Sequence, residues 1–166
     1  MRRTTEWHRG ESRVRVQSVR LASFEAPECA LLRYEVTNLG STTAALTLTS
    51  CIDTGTGNIL AEEDPRIGAK FRHRPLVIDS SAAHPDGSLS FAAHTANSGL
   101  FLAGAVRQTL SAGDGPLHWD EAVQAGQCVQ AAATVHLAPG KTLTLEKYIA
   151  YCHASSADGL SARAED

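Results

Sequence analysis

The chain has 166 residues, 43% of them hydrophobic and 20% charged, and its 15 Lys and Arg against 18 Asp and Glu give a formal net charge of −3. That length suits one domain, the apolar fraction excludes a disordered chain, and the lack of surplus positive charge argues against nucleic acid as a partner. No stretch approaches the ~18 apolar residues needed to span a bilayer as a helix, so no membrane partner is expected.

The first residues, Met1-Arg2-Arg3-Thr4-Thr5-Glu6-Trp7-His8-Arg9, carry the charge of a secretory leader, but no apolar run follows, and a cytoplasmic protein is the expectation. Residues 13–24 alternate as Val14 and Val16 against Arg13, Arg15 and Gln17. The phase then shifts so that Val19, Leu21 and Ser23 align, which predicts a strand with a bulge near Ser18. From residue 30, Ala30, Leu32, Tyr34 and Val36 fall on one face and Leu31, Arg33, Glu35 and Thr37 on the other, up to a turn at Asn38-Leu39-Gly40-Ser41. The next run sets Leu46, Leu48, Ser50 and Ile52 against Ala45, Thr47, Thr49 and Cys51, so the two read as an antiparallel hairpin. Residues 53–66 follow as a Gly- and acid-rich rim loop.

The second half repeats the pattern. Leu89, Phe91, Ala93 and Thr95 share a face, as do Leu100, Leu102, Gly104 and Val106 beyond a turn at Ala96-Asn97-Ser98-Gly99. Residues 111–126 read as a second rim loop. Val129, Ala131, Ala133, Val135 and Leu137 then line one face of a strand, and Ala138-Pro139-Gly140-Lys141 turns the chain into residues 142–153. There Leu143, Leu145, Ile149 and Tyr151 share a face interrupted by Lys147, whose stem can lie along apolar neighbours. The strands and turns, without an amphipathic helix between them, predict an all-β antiparallel sandwich over residues 1–153, with 154–166 as the start of a linker. The expected core comprises Leu32, Tyr34, Val36, Leu46, Leu48, Val129, Val135, Leu145 and Ile149. Cys29, Cys51, Cys128 and Cys152 lack the spacing of a disulfide framework or zinc knuckle and read as small, buried, reduced thiols.

Chemistry is sparse. Gly55-Thr56-Gly57-Asn58 lacks the third glycine and the helix of a dinucleotide fingerprint and reads as a turn. His8, His73, His84, His94, His118, His136 and His153 form no HxH or HExxH pattern, so neither a metal nor another cofactor is expected. Glu62-Glu63-Asp64 and Asp120-Glu121 are the acidic clusters that a pair of glycosidic carboxylates would draw on, and their loop settings read more simply as solvated charge. There is no GxSxG elbow. Trp7, Trp119 and Tyr151 are the aromatics suited to stacking on a sugar. Trp119, within Pro116-Leu117-His118-Trp119 of the second rim loop, is the candidate carbohydrate-binding residue.

Several segments together resemble the N-terminal domain of glycoside hydrolase family 65: Arg3-Thr4-Thr5-Glu6-Trp7, residues 13–24, Leu32-Arg33-Tyr34-Glu35-Val36-Thr37, Thr49-Ser50-Cys51-Ile52-Asp53 and Leu145-Glu146-Lys147-Tyr148-Ile149-Ala150-Tyr151. That family includes maltose, trehalose and kojibiose phosphorylases and some trehalose hydrolases. The resemblance implies a super-sandwich like that of galactose mutarotase, truncated at its first strands, which supports and rims a catalytic (α/α)6 barrel reached through a helical linker. The general acid and the phosphate site would belong to the barrel, so the resemblance implies no catalytic residue here. Its implied partners are the barrel and a disaccharide, with a second copy as an alternative cover for exposed strand edges. Two further readings are a free-standing carbohydrate-binding module and, more weakly, a mutarotase-like epimerase.

Overall fold

A computed structural model describes residues 1–10, 12–55, 75–113 and 115–165. The strands are β1 (Arg2–Arg9), β2 (Ser12–Ala22), β3 (Cys29–Asn38), β4 (Ala44–Asp53), β5 (Leu76–Ala83), β6 (Leu89–Thr95), β7 (Phe101–Ala112), β8 (Gly115–Leu117), β9 (Glu121–Ala125), β10 (Cys128–Leu137) and β11 (Thr142–Ala154), followed by one short helix, α1 (Leu160–Glu165). A large antiparallel sheet runs β1-β2-β3-β11-β7-β6-β5, with β8 added beside β7, and a small one runs β4-β10-β9. The all-β sandwich expected from the alternation is what forms.

The core lies between the sheets. Leu110, Leu143 and Leu145 of the large sheet meet Ala133, Val135 and Leu137 of the small one, and Leu89 and Val106 meet Val129 and Ala131. Of the expected core, Val129, Val135 and Leu145 are buried, while Tyr34, Val36, Leu46, Leu48 and Ile149 are partly buried against these clusters. Leu32 is likewise partly buried.

Three local expectations are corrected. First, β3 and β4 are not a hairpin: β3 pairs with β2 and β11, and β4 pairs with β10 in the opposite sheet. A strand with one apolar face satisfies that face equally by lying beside its neighbour or by crossing to the facing sheet, so alternation does not choose between them. Second, β2 pairs continuously with β1 and β3 through Ser18, without a bulge; the register break lies in β5, between Ile78 and Ser80. The phase shift has another cause. Val19 and Leu21 continue the outward face of Arg13, Arg15 and Gln17, opposite Arg33 and Leu31, so the outer face itself turns apolar at this end. Third, residues 111–126 contain the end of β7 and the strands β8 and β9, and are not one rim loop. The first rim loop, with Glu62, Glu63 and Asp64, falls largely outside the described residues.

Asn38 fixes the corner where the chain changes sheet. Its side chain is 1% exposed, and its amide donates to the carbonyls of Thr42 and Leu137, each at 2.8 Å. Its Oδ1 accepts from Gly40 N at 2.9 Å. Its backbone N–H donates to Lys141 O at 3.0 Å and its carbonyl accepts from Gly140 N at 2.8 Å. Two of the crossings between sheets, β3 to β4 and β10 to β11, are thereby tied to one residue. Asn38→Asp keeps the acceptor for Gly40 but removes both donors and adds a buried charge, whereas Asn38→Ala removes donors and acceptor together. Each is expected to cost more than about 2 kcal/mol, since each buried group left unpaired costs about 1–3 kcal/mol. Urea unfolding midpoints check this, and a midpoint unchanged in both variants would remove Asn38 from its structural role.

Candidate functional site

Trp119 sits in the turn between β8 and β9. The ring is not an open platform at a loop tip, as its setting in the sequence suggests: it is partly buried and packs against both inter-sheet clusters. Its indole lies on the backbone of Gly87, in the β5–β6 turn, where a Cβ would collide with it. Gly87 has φ of 85°, a left-handed conformation that favours glycine for a second reason. The Gly87 carbonyl accepts from Gln108 Nε2 at 2.6 Å, and Gln108 Oε1 accepts from Ser50 Oγ at 2.6 Å. Ser50 belongs to the small sheet and Gln108 to the large one, so a buried polar line crosses the core and ends beneath Trp119. Of the other two aromatics, Trp7 is 50% exposed and Tyr151 is 48% exposed. Tyr151 meets Phe91 edge-on at 6.2 Å.

The carboxylates have structural employment. Asp120 Oδ2 accepts from Thr134 N at 2.6 Å, fixing the entry to β9, and Glu121 is exposed on that strand. Asp79, at the β5 irregularity, pairs with His94 Nδ1 at 2.8 Å, and the His94 ring lies 6.0 Å from that of Phe101. Glu6 binds Arg13 and Arg15 at 2.8 Å each, and these hydrogen bonds hold its carboxyl down to about 2. Asp86 is lowered by hydrogen bonds from the Ser88 hydroxyl and backbone N–H. Among the described residues, no three His, Cys, Asp or Glu side chains converge as metal ligands. Gly55 N donates to Asp53 Oδ1 at 2.7 Å, a local turn, and the rest of that glycine motif lies outside the described residues.

The thiols are free, but only Cys152 is buried; Cys29 and Cys51 are exposed and Cys128 is intermediate. Small strand residues land on either face of a sheet, and all four cysteines fall on outward phases, where only Cys152 is covered, by α1. Burial, then a hydrogen bond with the Cys51 thiol, pushes the Cys128 thiol up. Lys147 shares the inward face of β11 with Leu145 and Ile149, opposite Leu32 and Gln108, and burial pushes its amine down from 10.5.

A concavity lies on the opposite surface of the large sheet. A groove of about 940 Å³ crosses β2, β3, β11, β7 and β6, with Leu21, Leu31, Ala105, Tyr148 and Ala150 among its lining and the His84-Pro85-Asp86 turn at one border. Helix α1 closes another border through Ala164 and Glu165, and Leu160 and Ala164 bury themselves against Ala103 and Cys152. Within residues 154–166, where a linker is expected to begin, β11 runs on to Ala154 and α1 packs onto the sheet. Signals for this feature existed in Leu160 and Ala164, four residues apart, and in the apolar residues on the otherwise polar phase of β2, β3 and β11.

Residues 1–166 match the model of the glycosyl hydrolase family 65 N-terminal domain. The chain belongs to this family. A solved structure described as "Putative kojibiose phosphorylase from human microbiome" shares its fold, with a TM-score of 0.72 over 95% of this chain at 15% sequence identity. This chain spans 18% of the length of that one. No curated protein matches it. No helix among the described residues is long and apolar enough to cross a membrane.

Two outcomes follow from the family 65 domain's interior. Gly87→Ala forces the β5–β6 turn and the Trp119 ring apart and adds strain at positive φ, so a loss of about 1–3 kcal/mol and an altered Trp emission spectrum are expected together. A melting curve and spectrum identical to the parent would disprove that packing. For Lys147, a folded pKa below the unfolded value means that the unfolded chain binds more protons between the two, so stability rises with pH across that window. Lys147→Met is therefore expected to be more stable than the parent near pH 8, with the difference shrinking as pH approaches 10.5. Chemical denaturation of both proteins at several pH values measures it, and a difference that grows with pH would contradict the assignment.

Proposed function

We propose that this chain is the non-catalytic N-terminal sandwich of a family 65 disaccharide phosphorylase or glycoside hydrolase, supporting and rimming an (α/α)6 catalytic barrel supplied outside these 166 residues. The observation that carries the proposal is coverage: a single-domain family model matches the whole chain, while the chain spans only 18% of the phosphorylase whose fold it shares. The roles of the carboxylates support it. Asp120 organises a backbone turn, Glu6 is held by two arginines, and Asp79 is held by His94. The proposal includes a cytoplasmic setting and a disaccharide as the ligand of the assembled enzyme.

A free-standing carbohydrate-binding module is the competing reading. It needs an aromatic face open to sugar, and Trp119 offers only the part of its ring left free by Gly87 and the core. The isolated chain is therefore expected to show neither phosphorolysis nor hydrolysis of maltose, trehalose or kojibiose, and to bind glucose, maltose or trehalose no more tightly than about 1 mM by calorimetry. Turnover abolished by Asp120→Asn or Glu121→Gln would overturn the non-catalytic reading. Micromolar sugar binding lost in Trp119→Tyr would establish the binding module instead.

A further inference from the structure

The outer face of the small sheet carries two thiols that the core does not use. Cys51 of β4 and Cys128 of β10 stand on the outward phase, while their neighbours Ile52 and Val129 pack inward. Cys51 is exposed and Cys128 is half-buried. The ladder fixes how they meet. Thr54 N donates to Gln127 O at 2.8 Å, so the alternation makes Asp53 with Cys128, and Cys51 with Gln130, the pairs without mutual hydrogen bonds, whose side chains stand closer together. Cys51 and Cys128 are therefore diagonal neighbours on one face, and their thiols hydrogen-bond to each other.

From this geometry we propose that Cys51 and Cys128 form a two-thiolate site for a soft monovalent metal ion, with Cu(I) as the ion that fits. Register decides between an ion and a disulfide. Diagonal strand neighbours have Cα atoms about 7–8 Å apart, and a disulfide cannot bridge more than about 7 Å without backbone movement. Strands β4 and β10 pair without a break over this stretch, so that movement would cost ladder bonds. An ion bound to each sulfur at about 2.3 Å spans up to about 4.6 Å between them, which suits thiols already in hydrogen-bond contact. Ligand number decides which ion. Zinc takes four ligands in a closed site, and among the described residues no third His, Cys, Asp or Glu completes a set with these two. Cu(I) is satisfied by two thiolates, and soft sulfur selects it over the hard cations that carboxylates prefer.

Each thiol releases its proton to solvent as its sulfur bonds the ion, and no electron moves, so the site needs no oxidant. The bound pair carries one net negative charge. Asp53, opposite Cys128, adds to it, and the Lys147 amine, close enough to Cys51 to interact electrostatically, offsets it. Ser50 accounts for that proximity: it bonds Gln108, the ladder partner of Lys147, and Cys51 is the next residue. Cys29 and Cys152 lie in the other sheet, on the far surface of the sandwich, with Cys152 under α1.

The test uses the whole 166-residue chain, fully reduced and under nitrogen, titrated into the coloured Cu(I) complex of bicinchoninate. The chain is expected to withdraw one Cu(I) per molecule and to remain a monomer in sedimentation as it does so, with two sulfur neighbours by X-ray absorption. Losing a group that merely supports a ligand weakens metal binding ~10–100-fold, so Cys51→Ser and Cys128→Ser, which remove a ligand, should each weaken uptake more than about 100-fold. Both positions face outward, so each metal-free variant should melt with the parent. Cys29→Ser should leave uptake unchanged. No withdrawal of copper, or withdrawal undiminished in both ligand variants, overturns the proposal. So does copper that joins two chains in sedimentation, because the ligands would then come from different molecules. A Cys51–Cys128 disulfide recovered by peptide mapping after mild diamide treatment also overturns it, since the sulfurs would then be placed for a direct bond. The sulfur count is read on the parent and stands whether or not a variant folds: any count other than two sinks the site.

Discussion

Asn38 ties together two of the places where the chain passes from one sheet to the other, β3 to β4 and β10 to β11, and the sandwich depends on both being held. Its amide spans Thr42 and Leu137 while its backbone pairs with Lys141 and Gly140, so the start of β4 and the ends of β3 and β10 are set by one residue. The consequence reaches across the whole core. The faces of β3 and β11 that look inward are chosen by the register Thr37 to Thr142, and those of β4 and β10 by Ala44 to Leu137; both registers begin at this corner. A slip of one residue at either would turn Leu143 and Leu145, or Val135 and Leu137, away from the interior. A hydrophobic side chain would fill the same space but would leave the carbonyls of Leu137, buried, and Thr42 without this donor, which is why an amide suits this point.

A second polar connection acts in the middle of the core, where hydrophobic packing alone leaves lateral position loosely defined. Ser50 and Gln108 join the sheets between the Leu145 and Val129 clusters, and Gln108 continues to the Gly87 carbonyl. All three groups are buried and satisfied, so they cost little desolvation while excluding registers in which they would be unpaired. Trp119 then covers Gly87 from above and reaches both clusters, coupling the β5–β6 turn to the β8–β9 turn. Its size in a chain with few aromatics makes it conspicuous as a ligand platform in the sequence. The same size is what lets one residue bridge two clusters.

The sequence made the inward faces of β4, β10 and β11 legible because each has one mainly apolar phase, broken by Ser50 in β4 and Lys147 in β11. It did not make pairing legible, since Ala44–Asp53 would satisfy the same alternation beside β3 as it does across from it. Strand β1 carried no apolar phase, and all of its residues are exposed; it is held by the ladder to β2, by Glu6 between Arg13 and Arg15, and by the N-terminal amine on Arg20 O at 2.8 Å. None of these leaves a periodic trace. The phase change at Val19 and Leu21 was visible, but a bulge and an apolar outer face produce the same pattern in one strand. Only the neighbouring Leu31 and Tyr148, brought alongside by β3 and β11, separate the two causes. Family membership, by contrast, was legible from the order of several unspecific segments, because order along a chain constrains a fold more than any one of them does.

The two faces of the large sheet thus carry different constraints. The inner face is fixed by the small sheet and includes Lys147, whose amine bears the cost of burial. The outer face is half charged and half apolar, a division that burial within the described residues does not require. Ion pairs there are solvent-exposed and contribute little to stability, yet they make that half unsuited to apolar packing and confine any such packing to the half beside α1. A polar side chain at Leu21, Leu31 or Tyr148 would serve a solvated sheet equally well, so the apolar residues at these positions are better explained by contact than by the fold of the sandwich.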